Sequence, residues 1–255
     1  MNQLGKYLLF LWMLLVGVLV LWVDNSIMAQ DQEGVTADQD IHVYTIDIPG
    51  LIGSDSQNKY NLLFERIGTM IGRQINVHAM PGRRLVRIYD ENDDVCVFPE
   101  YHASSGPETI FSDPFNVVRV YIVSLKEKPL PTVNAMDDYS FATVVGYDYS
   151  FVDIDSVREN LTVSNERQSL NLLLRDRVDA IISYFPDLPL IWKSEERAKL
   201  QFDESQSLYN GTERLGCKNT RKMKTFVADF NEALEQLIQE GELEEILSPY
   251  YYGLK

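Results

Sequence analysis

Histidines, cysteines, clustered carboxylates and tyrosines are the side chains in this sequence that could do chemistry. His42, His78 and His102 stand apart from one another. None has a second ligand or base at the spacing a metal site or catalytic pair requires, so each reads as a hydrogen-bonded strand or loop residue. There is no glycine-rich phosphate loop, no nucleophile elbow and no helix with paired histidines. No acid, base or nucleophile set can be nominated, and the expectation is a protein that catalyses nothing and needs no cofactor or metal.

Asp90, Glu91, Asp93 and Asp94 lack the alternating oxygen donors around a glycine that a calcium loop needs, and read as a solvated acidic turn. Lys218, Arg221, Lys222 and Lys224 follow the polar face of a C-terminal helix and read as ordinary surface. Cys96 and Cys217 are too far apart in sequence for a metal motif. In an oxidising compartment they form one disulfide or remain two buried thiols, and the sequence leaves both open.

The aromatic residues are more informative. Tyr101, Tyr147, Tyr149, Phe151, Tyr184 and Phe185 fall at or just past predicted strand ends. Ligands of open α/β sheets bind in the crevice beyond the carboxyl ends of strands, and an aromatic ring there offers apolar area with a polar tip. About half of such rings are expected to be lobe core instead. The candidate ligand contacts are Tyr44, Tyr101, Tyr147, Tyr149 and Tyr184, with Arg167 as a candidate cation; Arg83 and Arg84 are further cations of the same kind.

The elements that must position these residues alternate. Ile41, Val43 and Thr45 alternate with His42, Tyr44 and Ile46 as a strand that ends at Pro49-Gly50. Tyr60, Leu63, Phe64, Ile67 and Ile71 recur at helical spacing before Gly72. Strands at 75–78 and 94–98 flank a helix at 83–89, and a long β-rich run covers 117–125. After the proline-bearing stretch Lys126 to Pro131 the alternation resumes: strands at 141–145, 161–163 and 178–183, helices at 167–175 and 188–196. An apolar stripe from Met223 to Ile238 marks a helix that Gly241 ends, and a short helix covers 243–247. The pattern predicts mostly parallel sheets with helices on their faces.

The first residues read as an export signal: Lys6, an apolar run from Tyr7 to Val23, and a small-residue site with cleavage after Ala29. An uncleaved anchor is the alternative, since the run reaches the lower limit of about 17 residues needed to cross a bilayer. Residues 30–40 read as a flexible polar leader. No cysteine lies near the cleavage site, and the net charge of −15 survives cleavage, which disfavours nucleic acid and anionic lipid as partners.

Three phrases resemble the family 3 extracellular solute-binding proteins, the periplasmic components associated with polar amino-acid ABC transporters. Thr109-Ile110-Phe111-Ser112-Asp113-Pro114-Phe115 resembles the family's Phe-Ser-x-Pro-Tyr/Phe phrase, and Arg177-Val178-Asp179-Ala180-Ile181-Ile182 resembles its Gly-x-Val-Asp-Ala phrase. Phe226 to Tyr251, with Phe230-Asn231, Ala233-Leu234 and Gly241, resembles the closing helix pair.

The resemblance implies an α/β, two-lobed type 2 periplasmic-binding-protein fold with a discontinuous first lobe: 41–124 plus 205–255 as lobe 1 and 125–204 as lobe 2, hinged near Ser124 and Ser205. It implies a monomer in the periplasm that closes on a small polar or aromatic molecule and is read by an ABC permease or a membrane sensor; a sensing or accessory domain without a transporter is the alternative. Two positions depart from the family. An arginine that would pair with a ligand carboxylate is missing from 101–108, and Tyr184 stands where the amine-binding aspartate is typical, five residues after Asp179. Both charge clamps are therefore expected to be lost, which implies a flatter, less zwitterionic ligand.

Overall fold

A computed structural model describes residues 40–100 and 108–253. The expected export signal at 1–29, the leader at 30–39, and the candidate contact Tyr101 lie outside the described residues. Among the described residues no helix is long and apolar enough to cross a membrane.

The first strand, β1 (Ile41–Thr45), turns Ile41, Val43 and Thr45 into the core and leaves His42 and Tyr44 half-buried on its other face. Helix α1 (Lys59–Ile71) buries Tyr60, Leu63, Phe64 and Ile67 against that core, and Gly72 ends it in the left-handed region at φ 67°. There follow β2 (Ile75–Ala79), α2 (Gly82–Glu91), β3 (Val95–Val97), β4 (Thr109–Phe111) and the long β5 (Asn116–Leu125). The second half runs through β6 (Ser140–Val144), β7 (Glu159–Val163), α3 (Glu166–Leu174), β8 (Ala180–Phe185), the short helices α4 (Asp187–Ile191) and α5 (Ser194–Arg197), β9 (Leu200–Gln201), β10 (Tyr209–Glu213) and β11 (Gly216–Lys218). It closes with α6 (Arg221–Glu240) and α7 (Glu242–Leu247). Thr220 caps α6 by accepting from Met223 N, and Gly241 ends it at φ 75°.

Two sheets result. The first has the order β2-β1-β3-β11-β4, and the second β10-β5-β8-β6-β7 with β9 also on β5. In each, three neighbouring strands are parallel: β2, β1 and β3 in the first, β8, β6 and β7 in the second. The other pairings are antiparallel, so the sheets are mixed rather than mostly parallel. The cause is the double crossing of the chain: one segment carries it into the second sheet as β5, and β10 and β11 bring it back beside its outward path.

Strand pairing also moves the boundary read from Lys126 to Pro131. All of β5 belongs to the second sheet, paired with β8 from Arg119 to Ser124 and with β10 from Asn116 to Val120. The chain therefore leaves the first sheet before Asn116, not after Ser124, and returns after Glu213, not at Ser205. Near-continuous apolarity of β5 fits burial of both its faces: Val120 and Ile122 meet Phe141 and Ile182, while Tyr121 and Val123 meet Leu170, Ile181 and Phe185. The single helix expected at 188–196 is two, because Trp192 and Lys193 are extended and the Trp192 ring packs on Phe185 and Phe202.

The first sheet rests on a group of rings from α1, α6 and the residues just after β3 and just before β5. Tyr60 and Phe98 have centroids 4.7 Å apart, Phe98 and Phe115 5.3 Å, and Phe115 and Phe230 6.1 Å, in mostly edge-on and tilted arrangements. Beside it Cys96 on β3 and Cys217 on β11 face each other across the antiparallel ladder and are disulfide-bonded, with Cα atoms 4.0 Å apart. Of the two states open to the sequence, the structure takes the bonded one. It links residues 121 apart, a loop that in the chain-entropy description is worth roughly 3–5 kcal/mol. We expect the Cys96→Ala/Cys217→Ala double variant to unfold at lower urea by about that free energy, and the native protein to move to the same midpoint when reductant is added; equal midpoints with and without reductant would show the link to be energetically idle.

Candidate functional site

The two crossing segments lie side by side. Ser112 N donates to Leu215 O at 3.0 Å, Leu215 N to Ser112 Oγ at 3.0 Å and Phe115 N to Glu213 O at 3.0 Å. Where they enter the second sheet, three fully buried side chains meet. Tyr60 on α1 donates its hydroxyl to Glu213 Oε2, and Asn116 Nδ2 lies 2.8 Å from Tyr60 Oη and 3.0 Å from Glu213 Oε2. Asn116 also fixes the last described residues, donating to Tyr250 O at 3.1 Å and accepting from Tyr252 N at 2.9 Å.

Above this floor is a cleft of about 930 Å³ with walls from both sheets. Ile46, Ile48, Pro99 and Glu100 form the wall on the first sheet's side, and Tyr147, Phe151, Tyr184 and Asp187 the wall on the second's. Glu213, Arg119 and Arg214 come from the crossing strands. One close approach of the walls runs between glycines: a Cβ on Gly82 would stand 3.6 Å from Gly146 Cα. Gly146 ends β6 at φ 90°, a conformation other residues rarely adopt.

Three carboxyl groups in and behind the cleft are buried: Glu213 is 5% exposed, Asp187 6% and Glu166 5%. Asp187 accepts from the Tyr147 hydroxyl at 2.6 Å. Glu166, at the start of α3, accepts from Ser183 Oγ at 3.1 Å, while its Oε1 is buried with no partner among the described residues. Burial first, and the charge of Asp187 second, push Glu166 up to about 8. Burial likewise raises Glu213 to about 8, opposed by the Tyr60 hydrogen bond, and raises Asp187 to about 6, opposed by that of Tyr147. Burial also drives the hydroxyls of Tyr60, Tyr147, Tyr149 and Tyr184 well above the usual phenol range, so all four remain donors.

Of the contacts expected from sequence, Tyr147 and Tyr184 line the cleft, with ring centroids 5.0 Å apart. Tyr149 stands behind them against Tyr184 and Phe151, its hydroxyl accepting from Val144 N at 2.9 Å. Tyr44 is not at the cleft: it stacks on His78 at 5.1 Å, on the half-buried face of the first sheet. Arg167 is not there either, because both oxygens of Glu196 hold its guanidinium at 2.9–3.0 Å. Asp179 is an anchor, accepting from Ser140 N and Oγ and from Arg158.

Sequence reasoning missed Asp187, Glu213 and Glu166. Asp187 lies just past Tyr184 and lines the cleft beside it. A Phe-Pro-Asp turn after a buried strand was the available signal for Asp187. Nothing local marks Glu213, which enters the cleft only through the return crossing.

No protein-family model matches the chain, and no curated protein matches it in sequence. Solved structures do match in shape. The ligand-binding core of GluR0 from Nostoc punctiforme, in complex with L-glutamate, superposes with a TM-score of 0.71 at 16% identity, over 84% of this chain and 100% of that one. An ancestral arginine-binding protein bound to arginine gives 0.67 at 15% identity, over 84% and 99%. The ancestral amino acid-binding protein AncCDT-1, a precursor of cyclohexadienyl dehydratase, gives 0.67 at 12%, over 84% and 96%. At these identities the shared property is the fold.

Glu166 yields a direct test of the buried acids. Its folded-state pKa of about 8 lies above the ordinary value near 4.3, so the native state holds the proton more tightly than the unfolded chain. Its contribution to stability is complete below pH 4.5 and is lost as pH rises toward 8. Glu166→Gln should match the native protein near pH 5 and exceed it at pH 8.5 by roughly 1–3 kcal/mol in urea unfolding; a difference independent of pH would show that Glu166 does not titrate in this interval.

Proposed function

We propose that this chain, which has the two-lobed fold of type 2 periplasmic binding proteins, captures a small polar or aromatic molecule between its lobes and is exported to do so. The supporting observation is the cleft: both sheets wall it, two hydrogen-bonded segments join the sheets beneath it among the described residues, and two glycines, Gly82 and Gly146, face each other across it. A ligand touching both walls favours the closed arrangement by whatever it gains from the second wall. Tyr147 and Tyr184 supply rings, Asp187 and Glu213 supply carboxyl groups, and Ile46 and Ile48 supply apolar area.

Delivery to an ABC-type permease is the role we assign to the closed form. Similarity to the GluR0 ligand-binding core supports a second role, a ligand-sensing domain without a transporter. Both require capture. We read the cleft as a binding site rather than a catalytic one, since each of its two acids is held by a tyrosine hydroxyl, Asp187 by Tyr147 and Glu213 by Tyr60.

Capture is tested by thermal unfolding of the purified protein against amino acids, small carboxylates, amines, aromatic metabolites, peptides and sugars, since a ligand that binds only the folded state raises the midpoint. A shift confined to one chemical class is expected, and no shift with any class would refute capture. Gly82→Trp then tests closure. Gly82 opens α2 outside the left-handed region, so a large side chain there should fold but hold the walls apart. We expect the ligand-free midpoint to stay within a degree or two and affinity to fall at least tenfold, about 1.4 kcal/mol; unchanged affinity would mean binding does not use the closed state.

A further inference from the structure

We propose, resting on the capture reading, that the ligand is an organic cation bearing an ammonium or guanidinium group, which takes its counter-charge from Asp187 and Glu213 and releases protons as it binds. Buried carboxylates are ordinarily paired with a cation, because desolvating a charge costs several kcal/mol that only a partner or a proton can offset. Neither of these has one. The influences on Asp187 are burial and the donors around it; those on Glu213 are burial, Asp187 and the donors of Tyr60 and Asn116. No cation among the described residues acts on either.

Of the two arginines that share the cleft, Arg214 pairs with Glu100 and stacks over Phe111 at 4.2 Å, and Arg119 influences the Tyr252 phenol but neither acid. The geometry leaves a vacant acceptor. Both hydrogen bonds to Glu213 end on Oε2, so Oε1 has no partner among the described residues on a side chain 5% exposed that lines the cleft. Beside it the rings of Tyr147, Phe151 and Tyr184 face the same space, and an aromatic face attracts a cation as well as apolar area does.

The groups facing the pair set how it titrates. Tyr147 and Tyr184 meet Asp187 from the second sheet, Glu166 and Tyr149 act on it from behind, and Tyr60 and Tyr252 approach from α1 and the C-terminal segment. All are phenols that stay protonated or a carboxyl that burial keeps neutral near neutral pH. A proton on Glu213, joined below about pH 6 by one on Asp187, thus stands in for the missing cation, and a bound ammonium displaces it. Affinity for a cation should rise as pH goes from 5.5 to 8.5, by up to tenfold per pH unit for each proton released.

The test uses calorimetry on the whole protein with agmatine and putrescine as cations, arginine as a zwitterion that adds a carboxylate, and succinate as an anion. It is run in two buffers of different ionisation enthalpy, so that proton release is read directly. The expected result is binding of at least one of agmatine and putrescine, tighter than arginine, with proton release and a loss of at least tenfold in Asp187→Asn. Asp187→Glu, which keeps the charge, should recover part of that loss and controls for misfolding. If neither cation binds, or if binding releases no proton, the cation proposal is overturned. Where succinate or a neutral compound from the thermal screen binds instead, capture stands and only the cation is refuted; where nothing binds, both fall.

Discussion

The hydrogen-bonded group of Tyr60, Asn116 and Glu213 is the contact on which the arrangement of this protein depends. It is the place where α1 of the first core, the outgoing crossing, the returning crossing and the C-terminal segment all meet. Each donor and acceptor there is buried, so losing one partner leaves the others unsatisfied in a low-dielectric interior. That cost fixes the two crossing segments relative to each other. With the segments fixed, the cleft above them has a defined floor, and the walls are free to vary.

The same group shows how a binding cleft can be both built and charged by one set of residues. Glu213 is a structural acceptor through Oε2 and a wall of the cleft, and its burial is what keeps its proton on. An apolar residue at this position would escape the desolvation cost but leave the buried Tyr60 hydroxyl and Asn116 amide without their acceptor. Asp187 follows the same logic from the other wall: its place at the start of α4, under the Tyr147 hydroxyl, gives it a donor that steadies the carboxylate without neutralising it.

Much of this fold was legible in the sequence, for a physical reason. Elements with one buried face carry periodicity, and helices 59–71, 82–91 and 221–240 and the strands of both parallel triplets all fall within a few residues of where apolar spacing puts them. What escaped notice carries no such signal. Strand β10, Tyr-Asn-Gly-Thr-Glu, is an edge strand held by backbone pairing to β5, with mostly exposed side chains. The lobe boundary was placed at Lys126 to Pro131 on turn composition, but Ser112-Asp113-Pro114, where the chain crosses, has turn composition too, and only strand pairing tells the two apart. Tyr147 and Tyr184, placed by the sequence at strand ends, line the cleft, whereas Tyr44, also a candidate contact, packs on His78 on the half-buried face of the first sheet.

The missed carboxylates teach the sharper lesson. A sequence with 38 acidic residues gives no means of telling the three that are buried from those that are solvated, because burial of a charge is a property of the assembled walls. Comparison of local phrases went astray for the same reason: it tested for an aspartate at one position after Val178-Asp179-Ala180, and found a tyrosine. What a ligand meets, however, is a charge at a point in space, and a helix start placed after the strand can present it as well as the strand end can. Under the capture proposal, Tyr184 and Asp187 share the work one aspartate does elsewhere in the resembled family, the ring offering a face and the carboxylate a charge. An exchange of that kind changes the shape of what fits while keeping the sign of what is attracted.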